Sequence, residues 1–215
     1  MDRFFNADNK VFQALGSLMD CMIISALWLL MCIPVFTIGT STTAMYTTVH
    51  KVIRRQQGYV WNTFWDSFKE NFKLTTKLWL IILAIIIVLT ADIYVTHQAL
   101  VEGLSWGIFA PFFVILMILV ILWAVYIFAY SARFEQTLKA TLKNGVLIMI
   151  ANLPWTVLIF LELVVATIVV MYVPILIIII PGIVTVLAEL ILEHVFRKLM
   201  TEEQRRHEEE EDAQV

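Results

Sequence analysis

Pro34-Val35-Phe36-Thr37-Ile38-Gly39-Thr40-Ser41-Thr42-Thr43-Ala44-Met45-Tyr46 closes the first long apolar run of the chain and opens a basic, aromatic segment. A proline at that point lets a helix bend near a membrane interface. Gly39 permits a tight turn, and the Thr/Ser run can cap a following helix through side-chain oxygens. Read outward, the stretch marks where the chain leaves a bilayer and enters the cytoplasm.

The composition agrees. Sixty per cent of the 215 residues are hydrophobic and 15% are charged, against about 45–50% and about 25% in soluble domains. Mean hydropathy is +0.84. The expected class is all-α: one polytopic membrane domain over residues 1–200, followed by an acidic tail at 201–215. A bilayer core needs about 20 apolar residues per helix. Five segments meet that need: 18–38, 78–95, 108–130, 146–170 and 172–196. The last two are separated only by Tyr172 and Pro174, which predicts a tight helical hairpin. Pro174, Pro181 and Gly182 leave open a re-entrant or broken final helix. The first run passes directly into basic sequence, as a permanent span rather than a cleaved signal would.

The loop charges set the orientation. Lys51, Arg54, Arg55, Lys69, Lys73 and Lys77 lie between the first two spans. Arg133, Lys139 and Lys143 lie between the third and fourth, and Arg197, Lys198, Arg205 and Arg206 follow the fifth. The connection 96–107 has no Lys or Arg. The expectation is an outside N-terminus and a cytoplasmic C-terminus in a bacterial cell membrane.

Two cytoplasmic stretches read as amphipathic helices. In residues 61–77, Trp61, Phe64, Trp65, Phe68 and Phe72 share one face, a pattern suited to the headgroup region or to a partner's surface. Met45, Val49, Val52 and Ile53 make a shorter stripe before it, ended by Gly58. The N-terminal Phe4, Phe5, Val11, Phe12 and Leu15 form a weaker stripe. The tail, with Glu208-Glu209-Glu210-Glu211-Asp212, has the composition of a disordered segment.

Few residues carry recognisable chemistry. A carboxyl group inside a bilayer is costly and therefore informative, which singles out Glu162 in the fourth span. Asn152 precedes it on the same predicted helix, and Glu189 lies in the inner part of the fifth, with Arg133 or Arg197 as expected partners. These three are the candidate intramembrane polar site. Phosphate loops, HExxH, CxxC and GxSxG motifs are absent, so no catalytic residue, metal or cofactor is assigned and no enzyme is expected. Cys21 and Cys32 lie roughly 16 Å apart on one helix, too far to pair. Basic loop residues are explained by anionic lipid, not nucleic acid.

The element Pro34-x-Phe36-Thr37-Ile38-Gly39, continuing to Ala44 and Tyr46, is followed by Lys51 and by Trp61-x-x-Phe64-x-x-x-Phe68-x-x-Asn71-Phe72-Lys73. Together these resemble the YesL-type family of small bacterial membrane proteins, over about residues 20–80. Members are often encoded beside carbohydrate ABC importers. The resemblance implies an association with oligosaccharide uptake and supplies no catalytic residue. The expected function is an accessory protein that docks importer permease subunits, or another copy of itself, through the aromatic face. The alternative is a small transporter of a polar solute.

Overall fold

The computed structural model describes residues 10–134, 136–198 and 200, with side chains from Leu15 onward. Of the expected N-terminal stripe, Phe4 and Phe5 lie outside these residues and Val11 and Phe12 precede the described side chains, and the acidic tail lies entirely outside. The described residues contain helices and no strand. In chain order they are α1 (Lys10–Met31), α2 (Ile38–Thr48), α3 (Val60–Val101), α4 (Ala110–Arg133), α5 (Leu138–Ala151), α6 (Leu153–Tyr172) and α7 (Ile180–Arg197). Short 3-10 turns precede α2, α4 and α7, and a π-helical turn, Val49–Arg54, continues α2.

Among the described residues, three helical segments are long and apolar enough to cross a membrane: Val60–Val101, Ser105–Arg133 and Leu153–Tyr172. The expected all-helical, membrane-type class is met, while the expected number of five spans is not reached by this measure. The apolar part of α1, Leu15–Met31, is shorter, and α7 has 18 residues that include Glu189, Glu193 and Arg197.

Four predicted boundaries move. The first helix stops at Met31 rather than 38, where Pro34 interrupts the backbone pattern. The aromatic segment 61–77 and the span 78–95 are one uninterrupted helix of 42 residues, with no glycine or proline to break it. At 1.5 Å per residue α3 is about 63 Å long, roughly twice the ~30 Å hydrocarbon core. The predicted fourth span, 146–170, is divided at Asn152 (φ −123°, ψ 44°), and Pro154 lies in the first turn of the new helix. The predicted fifth span, 172–196, begins with the 3-10 turn Pro174–Ile178 and becomes α-helical only at Ile180.

The motif around Gly39 has a different purpose from a turn. Gly39 is buried within α2, and a Cβ there would sit 2.6 Å from Trp79 Cβ and 2.8 Å from a Phe128 ring carbon. Its lack of a side chain brings α2 against α3 and α4. The Thr/Ser run supplies a polar seam instead of an N-cap, since Thr37 makes no capping bond. Thr75 donates to Thr40 at 3.0 Å, and Ser67 to Thr47 at 3.0 Å, both across the α2–α3 contact. Thr47 and Thr48 also donate to carbonyls four residues earlier, as burial requires.

Met45, Val49 and Val52 are buried against Ile24, Leu27, Val60 and Phe64, with Ile53 and Phe68 packed alongside. The short stripe therefore braces the bundle. A second core joins α4, α5, α6 and α7 through Tyr126, Ile148, Ile159, Leu192 and Phe196. Gly58, with φ +78°, and Gln56, with φ 55°, turn the chain between the π-helical segment and α3. Left-handed backbone at Gly58 costs nothing in side-chain clash.

Candidate functional site

The sequence-selected aromatic residues divide between core and surface. Phe64 is fully buried and takes no part in an exposed face. Trp65, Phe68 and Phe72 are half-buried, forming a chain of ring contacts with centroids 5.7 Å apart at each step. Trp61 remains 58% exposed, and Tyr59, just before α3, 79%. The exposed aromatic surface therefore sits at the very start of the long helix. Among the motif residues, Pro34 is exposed, Thr37, Gly39, Ala44 and Tyr46 are buried, and Lys73 is exposed beside half-buried Asn71.

Glu189, Asn152 and Glu162 do not meet as one polar site. Asn152 donates to the carbonyl of Ile148 at 3.0 Å and finishes α5. Glu189 belongs to an ionic network built from three distant segments. Its Oε1 lies 2.6 Å from His50 Nδ1 and 2.7 Å from Arg54 NH1. Arg133 NH1 lies 2.6 Å from His50 Nε2. Arg133 NH2 is 3.2 and 3.1 Å from the two Glu193 oxygens, and Arg197 Nε is 3.4 Å from Glu193 Oε1. His50, Glu189 and Glu193 are all at least 96% buried.

Local structure explains the assembly. The π-helical turn carries His50 and Arg54 on one face, α7 presents Glu189 and Glu193 one turn apart, and Arg133 ends α4. Basic residues from three separate loops thus converge at one end of the bundle. Because a guanidinium only donates, His50 Nε2 must accept, which puts the ring proton on Nδ1 facing Glu189. The expectation that Arg133 or Arg197 pairs with Glu189 is replaced: both serve Glu193, and Arg54 with His50 serves Glu189. Partner choice over 135 to 139 residues of separation has no signal in spacing.

His50, Glu189 and Glu193 bring one ligand atom each to within 4.8 Å of one another, a separation a metal ion could bridge. Both carboxylates already face guanidinium groups and both imidazole nitrogens are engaged, so a cation would have to displace Arg54 and Arg133. The arrangement is an internal ionic lock.

Tyr46 stands beside this lock. Its hydroxyl is buried and makes no hydrogen bond. Burial, reinforced by Glu189 and Glu193, holds its phenol well above the ordinary value, so it stays neutral. The other side of the Tyr46 ring borders a cleft of about 450 Å³ between α2, α4, α6 and α7, where Glu162 also lies. The sequence singled out Glu162, while His50 and Arg54 carried no warning beyond their position in a basic loop.

Residues 21–93, about a third of the chain, match a protein family described as "Protein of unknown function, DUF624". The match covers α1 from Cys21, all of α2 with its π-helical turn, and most of α3. It includes His50 and Arg54 and stops before Arg133, Glu189 and Glu193. No curated protein and no solved structure matches the chain.

Proposed function

We propose that this chain is an accessory membrane protein of the YesL type, docking to subunits of a carbohydrate ABC importer through a rigid cytoplasmic head. The observation that carries the reading is the continuity of α3. Twenty or so of its residues suffice to cross the hydrocarbon, and its N-terminal half continues without a joint into the segment that displays Tyr59 and Trp61. Exposed aromatic residues on a fixed support are favourable anchors for a protein partner, since they bury large area at low entropic cost. The ionic lock and the glycine-tight α2–α3–α4 contact hold that support in place.

In this reading the five apolar helices α1, α3, α4, α6 and α7 all cross the cell membrane. The end bearing Arg54, Arg133 and Arg197 faces the cytoplasm, in keeping with the distribution of loop charge. Sugar specificity would belong to the importer, and this chain would contribute to assembly.

The test is purification of the tagged chain from native membranes in mild detergent, followed by identification of bound proteins. Permease or sugar-binding subunits of an ABC importer are the expected partners. Recovery of the chain alone, under conditions that preserve other membrane complexes, contradicts the proposal.

A further inference from the structure

We infer that the cleft beside Glu162 is a binding site for an amphiphilic amine, an apolar chain or ring system carrying a protonated amino group. The cleft measures about 450 Å³ and is walled by residues such as Trp28, Phe128, Leu163, Met171 and Pro181. That volume falls within the roughly 300–1,000 Å³ of small-molecule sites. A helix about 10 Å across would need far more space over even three turns, so a partner's transmembrane helix does not fit inside it.

The chemistry of the lining selects the ligand. Among the described residues around the cleft, Glu162 is the one carboxylate, and none is Lys, Arg or His. Both Glu162 oxygens are shielded from solvent and lack a hydrogen-bond partner. The threonine hydroxyls around the cleft donate within their own helices: Thr42 to Ile38, Thr167 to Leu163 and Thr185 to Pro181, each at 2.8 Å, which leaves the single Tyr46 hydroxyl unpaired. A polyhydroxylated solute would leave its own hydroxyls unpaired among aliphatic side chains, at about 1–3 kcal/mol apiece. An anion would meet a like charge. An ammonium group instead brings the counter-charge that the carboxylate lacks, and a charge-assisted bond is strong in a low-dielectric setting. The apolar remainder of the molecule fills the rest of the cleft.

The surrounding helices leave room for entry. A second, smaller cleft of about 270 Å³ lies between α4 and α6, and Leu163 and Thr167 border both. Helix α6 is therefore flanked by a cleft on each side of Leu163 and Thr167, and only 11% of its spanning window is buried. Rotation of the Glu162 side chain about its own torsions brings the carboxylate to an incoming head group, a change of the kind common on binding.

The test uses the purified full chain in neutral detergent and two probes: dodecylamine bearing a dansyl group at its far end, and the matching dansylated dodecyl alcohol. Energy transfer from tryptophan reports saturable binding. The expected result is at least tenfold tighter binding of the amine than of the alcohol, with the preference abolished in Glu162→Gln. Equal binding of the two probes by the wild type, or an amine preference that survives Glu162→Gln, overturns the assignment. Ala166→Phe fills the cleft while keeping the carboxyl, and decides the matter should Glu162→Gln not fold. Loss of amine binding supports the site, and retention overturns it.

Discussion

Arg133 NH1 donates to His50 Nε2 at 2.6 Å, and the proton this forces onto Nδ1 is the one that meets Glu189 at 2.6 Å. One imidazole thereby couples the end of α4 to the C-terminal half of α7. A histidine in this position transmits the loss of either partner to the other.

Removing one member of such a buried network leaves the remaining charges without compensation, at about 3–5 kcal/mol. Glu189→Ala is therefore expected to lower thermal stability in detergent steeply. Arg54→Met combined with Glu189→Met should cost less than the sum of the two single changes, because the pair interacts directly. Additive losses measured by thermal unfolding would contradict the coupling.

Two glycines predict opposite signs. Gly39→Ala forces a Cβ to within 2.6 Å of Trp79 Cβ and should destabilise by about 1–3 kcal/mol through overpacking. Gly16 is in α1 with nothing within 4 Å of its would-be Cβ, so Gly16→Ala should be neutral or stabilising by up to about 1 kcal/mol from helix propensity. Thermal unfolding of the two variants side by side checks the contrast.

Tyr46 carries a pH prediction. Its phenol is raised above the ordinary value of 10.0 in the folded chain, so the folded state favours the neutral form. The associated stability is complete below about pH 10 and declines as the pH rises above it, because only the unfolded state then ionises readily. Tyr46→Phe should flatten that alkaline decline. It should leave stability at pH 7 unchanged or slightly higher, since the lost hydroxyl had no hydrogen bond. Denaturation profiles of both proteins between pH 7 and 11 measure the difference.

Much of the helical organisation was legible because hydrophobic periodicity survives translation into structure. The aromatic face of residues 61–77 and the apolar runs were both visible. Their fusion into α3 had a signal as well, in the complete lack of Gly and Pro between Val60 and Val101. Pro154 likewise marked the break between α5 and α6. The polar sites were less legible. Glu162 stood out by its apolar surroundings, whereas Glu189 found His50 and Arg54 through tertiary packing that no local pattern encodes. Gly39 was noticed for the wrong reason, because close helix approach and tight turning demand the same residue.

The orientation predicts a pattern of labelling. Asn62 lies on the exposed side of α3 and Leu104 beyond its other end. With the cytoplasmic end assigned from loop charge, Asn62→Cys should react with a membrane-impermeant thiol reagent only after the membrane is opened. Leu104→Cys should react in intact cells. The reverse pattern would invert the topology.

Docking through the tip of α3 can be read out by site-specific photocrosslinking in native membranes. A photoreactive residue at position 59 or 61 is predicted to give adducts with subunits of a carbohydrate ABC importer. The same residue at Val88, 60% exposed on the apolar half of α3, should give none. Absence of importer adducts from positions 59 and 61, with the chain folded and inserted, would rule out docking through this tip.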